Sequence, residues 1–252
     1  MDREAGACMK AIILAAGRGS RMYEGTANMP KCMMKLCGKP LIDRGLASLQ
    51  AAGFNRQDIG IVTGYKSETI RIDDVRYFHN AKWETTNMFF SLTFADEWLK
   101  KGKCIVCYSD ITYHSSVIDK LMNDDHDIAI TYYVDFWQLW SKRFGNPLDD
   151  LETFKIDCGK LVEIGGMPKS ISDIHGQYMG LLSFTPIGWQ KIKEAVKLPM
   201  KKPIEKLDMT TLLQHLLDIG QFINIIPTNE LWLECDNLDD IRLYEQEYHE
   251  YL

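Results

Sequence analysis

Glycines and basic side chains follow directly after an apolar segment near the start of the chain. Residues 11–15 read Ala-Ile-Ile-Leu-Ala, and Ala-Gly-Arg-Gly-Ser-Arg comes next at 16–21. Glycines allow the backbone to approach a ligand closely and to turn its N–H groups toward anionic oxygens. Arg18, Arg21 and the later Lys31 could neutralise the charge of those oxygens. The segment therefore predicts a triphosphate site; the alternative for the two glycines alone is a tight turn with solvated arginines.

The elements that must position this loop alternate between strand-like and helix-like stretches in the first half of the chain. This rhythm predicts a parallel sheet covered on both faces. The predicted strands there are 11–15, 60–63, 75–79 and 104–109, and the predicted helices are 42–52, a segment from about residue 66, and 86–100. The second half is less regular, with strands at 128–134, 153–156, 161–164, 177–184, 222–226 and 231–235 and helices at 186–196, 209–219 and from about 238. Ligands of such sheets bind beyond the carboxyl ends of the strands, where the glycine loop lies.

The loop is neither a dinucleotide fingerprint, which has a third glycine, nor a Walker loop, in which Gly-Lys-Ser/Thr follows. Three motifs resemble instead those of the nucleotidyltransferases that couple a nucleoside triphosphate to a phosphorylated metabolite. They are Leu14-Ala-Ala-Gly-Arg-Gly-Ser-Arg-Met22, Met29-Pro-Lys31 and Gly38-Lys-Pro-Leu41. The chain departs from this family where Tyr23-Glu-Gly-Thr26 stands in place of the usual Pro-Leu-Thr.

The resemblance implies an α/β fold: a single-domain, Rossmann-like nucleotidyltransferase whose mostly parallel central sheet is flanked by helices. Residues 9–118 and 220–240 would form the nucleotide and metal half of the one domain, 1–252, and residues 128–200 a small acceptor-binding lobe. The resemblance implies catalytic roles for Arg21 and Lys31. It implies nucleotide binding by the residues of the first motif: Leu14, Ala15, Ala16, Gly17, Arg18, Gly19 and Ser20. In the reaction of this family, a phosphate or phosphonate oxygen of the acceptor attacks the α-phosphorus and pyrophosphate leaves.

Two aspartates at predicted strand ends are the candidate metal ligands. The reaction needs a divalent cation, and Mg²⁺ (or Mn²⁺) commonly takes one or two carboxylates together with phosphate oxygens. Asp110 follows the strand at 104–109, where the family has an acidic residue, and Asp236 follows the strand at 231–235. A turn role for Asp110 and a helix-capping role for Asp236 are the alternatives. Glu234, two residues before Asp236, could face the same site.

The segment Thr85-Thr-Asn-Met-Phe-Phe-Ser-Leu92 bears on the choice of nucleotide. Small cytidylyltransferases that this chain resembles have an asparagine followed by an aromatic residue and Ser-Leu at this place. Asn87 could therefore read the donor and acceptor edge of cytosine, and the alternative is a purely structural helix cap. The short length of the chain and the lack of a further sugar-site motif also favour CTP.

An aromatic and basic stretch, Trp137-Gln-Leu-Trp-Ser-Lys-Arg-Phe144, is the candidate for acceptor binding. Trp137 and Trp140 could form an aromatic wall for a quaternary ammonium group, as in phosphocholine. Lys142 and Arg143 could instead clamp the phosphate or phosphonate of the acceptor, and a third reading is a helix with two core tryptophans and solvated charges. The chain from 139 to 157 also resembles capsule-associated cytidylyltransferases that activate a phosphorylated amino-acid amide. In that case Asp149 and Asp150 could face the amine of the acceptor.

The composition restricts the partners. The chain has 252 residues and a net charge of −6, which argues against nucleic acid as its main partner. No apolar run approaches the roughly 20 residues that a membrane span needs, and the N-terminus lacks the apolar region of a signal peptide. Seven cysteines in no disulfide pattern, including Cys104 and Cys107 on opposite faces of one strand, favour a reducing cytoplasm. Self-association into a homo-oligomer stays open.

The leading hypothesis is thus a CTP-dependent cytidylyltransferase that acts on a small phosphorylated or phosphonylated acceptor. The alternative within the class is a uridylyl- or thymidylyltransferase for a sugar 1-phosphate. In sugar-activating relatives an acidic residue, Lys and Pro follow the middle strand, whereas Glu163-Ile-Gly-Gly-Met-Pro-Lys169 stands here. An alternative of another class is an inactive nucleotide-binding regulatory module, which loss of Arg21, Lys31 or Asp110 would have indicated; all three are present.

Overall fold

The computed structural model describes residues 9–19, 22 and 26–251. The strands of this described part are β1 (Lys10–Ala15), β2 (Lys35–Leu36), β3 (Lys39–Pro40), β4 (Ile59–Thr63), β5 (Arg76–His79), β6 (Cys104–Tyr108), β7 (Ile111–Tyr113), β8 (Ile128–Tyr133), β9 (Phe154–Asp157), β10 (Lys160–Ile164), β11 (Gln177–Phe184), β12 (Asn224–Thr228) and β13 (Trp232–Glu234). The α-helices are α1 (Leu41–Ala51), α2 (Met88–Leu92), α3 (Asp96–Leu99), α4 (Ser115–Met122), α5 (Phe136–Arg143), α6 (Pro186–Ala195), α7 (Met209–Asp218) and α8 (Leu238–Glu247).

Seven of the strands form one central sheet in the order β12-β8-β11-β6-β1-β4-β5. β11 runs antiparallel to both of its neighbours, and the other pairs in the sheet are parallel. The predicted mostly parallel α/β sheet is therefore confirmed. Three two-stranded ladders pair β2 with β3, β7 with β13 and β9 with β10. An isolated parallel bridge joins Phe154 to Ile174.

Helices cover both faces of the central sheet because alternate side chains of its strands point in opposite directions. Ala11 and Ile13 of β1 lie in a core that α1, α4, α5 and α8 share. Ile12 and Leu14 lie in a second core with α2, α3, α6 and α7. Cys107 faces the first core and Cys104 the second, which confirms that these two thiols point to opposite faces.

Two predicted helices differ from the structure. The segment after residue 66 forms only a 3-10 turn, Ser67–Thr69, because the backbone becomes extended at Ile70. The helix predicted over 86–100 is divided into α2 and α3 by a 3-10 turn at Thr93–Ala95. β7 and α4 were not predicted from the sequence, because their lengths of three and eight residues give little periodic signal.

The described part of the chain contains no helix with the length and hydrophobicity needed to cross a bilayer.

Candidate active site

The loop after β1 turns at Gly19 and forms one wall of a cleft at the carboxyl ends of the strands. Gly19 has a φ of +73°, and a Cβ atom there would lie 2.6 Å from the Cβ of Lys31. Only glycine combines this conformation with so close an approach. Leu14, Ala16, Gly17 and Gly19 line the cleft. The glycine loop therefore lets a ligand approach the backbone beside Lys31, because glycine has no side chain to cover it there.

The other predicted members of this loop lie elsewhere. Ala15 is buried in the core and pairs with Thr63 of β4. Arg18 is exposed, and its guanidinium carbon lies 5.6 Å from the centre of the Tyr65 ring. Ser20 and Arg21 lie outside the described residues.

The start of α2 forms the opposite wall. Asn87 caps this helix, since its Oδ1 accepts the Met88 N–H at 2.8 Å. Buried Asn80 donates to Thr86 Oγ1 at 2.9 Å and to Ser91 Oγ at 3.0 Å, and so fixes the wall from behind. The residues of this wall that line the cleft are Trp83, Thr86, Asn87, Met88 and Ser91. We call the space between the two walls the glycine-loop cleft, with a volume of about 330 Å³.

A short ladder brings the two predicted metal ligands together. β13 pairs antiparallel with β7, and the Cys235 N–H donates to the Asp110 carbonyl oxygen at 2.9 Å. This register places Asp236 beside Asp110 at the edge of the glycine-loop cleft. The capping alternative for Asp236 is excluded, because Asn237 is the N-cap of α8 and accepts the Asp239 and Asp240 N–H groups.

Lys31 lies between the two aspartates. Its Nζ is 2.6 Å from Asp110 Oδ2 and 2.8 Å from Asp236 Oδ1, and the residue is 8 % exposed. Burial alone would lower the pKa of Lys31, but Asp110, Asp236 and Glu234 together raise it above its ordinary value. The lysine is therefore a permanent positive charge at the cleft.

Three carboxylates at this point could hold a metal ion. Asp110, Glu234 and Asp236 each offer an oxygen, and these three atoms lie within 4.8 Å of one another. An all-oxygen donor set suits a hard cation such as Mg²⁺ or Mn²⁺. Burial, followed by the charge of Asp236, raises the pKa of Glu234 well above its ordinary value. A bound divalent cation would oppose that shift, because it favours the ionised carboxylate.

Arg143 supports this carboxylate group from behind. Its Nε donates to Asp240 Oδ1 at 2.9 Å, and its Nη2 donates to Asp240 Oδ2 at 3.0 Å and to Asp236 Oδ2 at 3.1 Å. Asp240 Oδ2 also accepts the Asp236 N–H at 2.7 Å. Since the Arg143 side chain is 0 % exposed, it is not available as a phosphate clamp. The prediction that Arg143 binds the acceptor is corrected: it orients a predicted metal ligand.

Trp140 requires a second correction. It is fully buried, its ring stacks on Trp232 at a centroid distance of 5.6 Å, and the Arg143 guanidinium carbon lies 4.6 Å from its ring centre. Its Nε1 donates to Asp150 Oδ2 at 3.0 Å. The ring has no face left for a cationic acceptor, so the core-tryptophan reading holds at this position.

The remaining predicted acceptor residues are on the surface. Trp137 is 42 % exposed. Lys142 Nζ lies 3.0 Å from Glu247 Oε2, and Asp149 Oδ1 accepts the Asn146 amide at 2.8 Å. In the described part of the chain, none of these three residues lines the glycine-loop cleft or the second cleft that adjoins it.

A second cleft adjoins the first at Met88 and Tyr108 and has a volume of about 360 Å³. We call it the acidic cleft, because five carboxylates line it: Asp150, Glu152, Asp208, Glu234 and Asp236. One wall is strand β11, whose pairing with β8 shifts between Tyr178 and Leu182. Gly180 lies in this bulge with φ +71°, and a Cβ there would be 2.7 Å from the Tyr108 ring. The bulge therefore lets Tyr108 pack close to β11 beside the cleft.

Several of these residues had no sequence motif to identify them. Trp83, Tyr108, Glu152 and Tyr178 each come from a different segment, and only the sheet brings them together. Asp240 could have been found, since Asn237 followed three residues later by an acidic residue is a capping-box pattern.

Comparison with known proteins agrees with this geometry. The pattern of the MobA-like NTP transferase domain matches residues 11–158. A CTP:phosphoglutamine cytidylyltransferase of Campylobacter jejuni is 32 % identical over 93 % of this chain and 98 % of its own length. A 2-aminoethylphosphonate cytidylyltransferase of Lancefieldella rimae is 29 % identical over 62 % of this chain and 60 % of its own.

The fold is shared with solved structures. The inositol-1-phosphate CTP transferase of T. maritima superposes with a TM-score of 0.71 and 20 % identity, over 96 % of this chain and 98 % of that one. The same class of enzyme is indicated by the glycine loop, the paired aspartates, the family pattern and the relative that matches over almost its full length. The chain belongs to the MobA-like NTP transferase family and is a nucleotidyltransferase.

Proposed function

We propose that this chain transfers CMP from CTP to a small acceptor that carries a phosphate or phosphonate group, and releases pyrophosphate. Acceptors of the phosphocholine, phosphonate or phosphorylated amino-acid-amide type are the candidates. The observation that carries the proposal is Lys31 fixed between Asp110 and Asp236 at the mouth of the glycine-loop cleft. The cytidylyltransferase of C. jejuni, matched over 98 % of its length, supports the choice of CTP.

The residues of the glycine-loop cleft have different proposed roles in the reaction. Backbone N–H groups of Gly17 and Gly19 would face the triphosphate oxygens, and Lys31 would neutralise charge that builds up in the transition state. Asn87 lines the cleft and is the proposed contact to the base. An acceptor oxygen forms a bond to the α-phosphorus while the bond to the bridging oxygen of the β-phosphate breaks, and pyrophosphate takes that electron pair.

Asp110, Glu234 and Asp236 fit a divalent cation, which we propose to be Mg²⁺, or Mn²⁺. Their oxygens lie within 4.8 Å of one another, and a cationic group, Lys31 Nζ, already lies among them. When bound, such an ion neutralises phosphate charge and orients the triphosphate. Arg143 and Asp240 would hold Asp236 in place for it.

Further parts of the proposal follow from the sequence. Residues 9–118 and 220–240 serve nucleotide and metal, and 128–200 contribute most of the acceptor-binding lobe. A cytoplasmic location fits an enzyme that uses CTP, and the cysteines of the described part are free thiols. Trp137, Lys142 and Asp149 stay predictions as acceptor contacts, and self-association stays open.

Pyrophosphate release by the purified protein tests the proposal directly. Each of the four nucleoside triphosphates is combined with Mg²⁺ and with phosphocholine, 2-aminoethylphosphonate, phosphorylated glutamine or glucose 1-phosphate, and the product is identified by mass spectrometry. We expect a CMP adduct with CTP and one of the first three acceptors. Efficient turnover of glucose 1-phosphate with UTP or dTTP would replace the proposal with the sugar-activating alternative. No turnover together with tight CTP binding would favour the regulatory module.

A further inference from the structure

The acidic cleft carries more negative charge than metal binding requires. Glu234 and Asp236 belong to the candidate metal group, whereas Asp150, Glu152 and Asp208 lie outside it. No Lys, Arg or His is among the described residues that line this cleft. A concave site of one sign of charge attracts a ligand group of the opposite sign.

The three additional carboxylates are unequally compensated. Asp208 is the N-cap of α7, accepts the Thr211 N–H at 2.7 Å and lies 2.6 Å from Lys202 Nζ. Asp150 accepts the Trp140 indole N–H. Burial, followed by the charge of Asp208, raises the pKa of Glu152 above its ordinary value, although its contact with Thr210 acts in the other direction. The ionised form of Glu152 is therefore destabilised in the free cleft, and a cation bound beside it would stabilise that form.

Tyr178 provides a second, independent sign of a ligand site. The residue is 8 % exposed and lines the acidic cleft from the bulge in β11. Its hydroxyl is buried without a hydrogen bond of normal geometry, although the ring of Tyr108 meets its ring edge-on at 6.0 Å. A buried hydroxyl in that state is stabilised when a ligand supplies a hydrogen-bond partner, as a primary ammonium group does. The two aromatic rings also suit the apolar surface around an ammonium group.

We propose that the acidic cleft binds an ammonium group of the acceptor, with Glu152 and Asp208 as the residues that determine specificity. The inference rests on the proposed function, since it concerns the acceptor of that reaction. The anionic end of the acceptor would lie toward Lys31, and the cationic end would lie among Glu152, Asp208 and Tyr178. A plain sugar phosphate has no group that matches these carboxylates.

Matched pairs of acceptors isolate the charge from shape. Phosphocholine is compared with 3,3-dimethylbutyl phosphate, in which carbon replaces the quaternary nitrogen, and 2-aminoethylphosphonate with propylphosphonate. Wild-type protein should use the ammonium member of each pair with a kcat/KM about 10- to 100-fold higher, the range expected for one charged contact. Equal use of both members would overturn the inference.

Two variants assign the effect to residues. Glu152→Gln and Asp208→Asn should each raise the KM of the ammonium acceptor about 10-fold or more, leave the KM of CTP nearly unchanged and reduce the preference between pair members. Asn is as good an N-cap as Asp, so the second change preserves α7. Glu163→Gln is the control, because Glu163 pairs with Lys155 and does not line the acidic cleft. If a variant lowered kcat/KM equally for both members of an acceptor pair, its residue would not recognise the charge of the acceptor.

Calorimetric titration separates this inference from the proposed function. The same four compounds are titrated into wild-type protein and into Glu152→Gln, without reaction. Tighter binding of the ammonium members, lost in Glu152→Gln, would support the acidic cleft even in a protein that releases no pyrophosphate. Turnover with no such difference in binding or kcat/KM would support the reaction and reject the ammonium site.

Discussion

The glycine-loop cleft and the acidic cleft are neighbours, but their charges differ. The first combines open glycine backbone with Lys31, whose Nζ lies 2.6 Å from Asp110. The second has carboxylates and tyrosines and lacks basic side chains among the described residues that line it. A ligand pair that fills both must present anionic groups to the first cleft and a cationic group to the second. The contrast indicates how one fold could serve a triphosphate and a zwitterionic acceptor side by side.

The boundary between the two clefts is the carboxylate group. Glu234 and Asp236 line the acidic cleft, while Asp110 lines the glycine-loop cleft. Their negative charge can stabilise a cation on either side. On the side of the glycine-loop cleft this cation is Lys31 or a divalent ion, and on the side of the acidic cleft it is the proposed ammonium group.

Removal of divalent metal should abolish turnover. Excess EDTA should reduce pyrophosphate release to background, and Mg²⁺ or Mn²⁺ should restore it, because the three carboxylates offer the oxygen ligands that such ions prefer. Asp236→Asn should raise the metal concentration needed for half-maximal activity. Asp239→Asn is the control, since Asp239 is on the exposed surface and pairs with Arg242. Full activity in EDTA would contradict the metal site.

Replacement of Arg143 should affect stability more than any single change in the acidic cleft. Arg143→Ala leaves Asp240 and Asp236 buried without their guanidinium partner, and the loss of one member of a buried pair costs about 3–5 kcal/mol. For a protein of this size the melting temperature should fall by roughly 6–20 °C. Lys142→Ala, on the same helix but at an exposed ion pair, should change it little.

Calorimetry of both variants checks this prediction, and the KM of the acceptor distinguishes the two roles of Arg143. An unchanged melting temperature with a raised acceptor KM would restore the phosphate-clamp hypothesis. A large stability loss with an increased metal requirement supports the role in orienting Asp236.

Loss of Lys31 should slow the reaction strongly while recognition of the ammonium group persists. Removal of one preorganised donor to developing charge typically costs about 3–4 kcal/mol of transition-state stabilisation, or several hundredfold in kcat. Lys31→Ala should therefore retain the preference for ammonium acceptors while its kcat collapses. Lys35→Ala provides the control, because Lys35 is exposed on β2. A rate within a few-fold of wild type would remove Lys31 from the mechanism.

The sequence was informative where the backbone itself demands particular residues. Gly19 must be glycine because of its positive φ and its close approach to Lys31, so the glycine loop can be identified from the sequence. Asp110 and Asp236 follow apolar strands, which periodicity reveals. Their pairing depends on the ladder between β7 and β13, and β7, with only three residues, carries too little pattern to predict.

The proposed acceptor region could not be predicted in the same way. Glu152, Tyr178 and Asp208 come from three separate segments, and each alone has an ordinary local context. The tryptophans of α5 gave a stronger local signal, but Trp140 is part of the core. A conspicuous cluster in sequence reports packing as readily as binding, because large aromatic side chains are needed for both.

The smallest effect is expected at Trp137, which separates the surface of α5 from the acidic cleft. Its ring is 42 % exposed, and it does not line either cleft in the described part of the chain. Trp137→Ala should therefore change the acceptor KM by less than about two-fold, whereas loss of a cation–π contact worth ~0.5–2 kcal/mol would raise it roughly 2- to 30-fold. The comparison with Glu152→Gln, measured with phosphocholine at saturating CTP, decides which surface recognises the ammonium group. A rise in the acceptor KM in Trp137→Ala with none in Glu152→Gln would show that the ammonium group binds at α5. The carboxylates of the acidic cleft would then have no role in binding the acceptor.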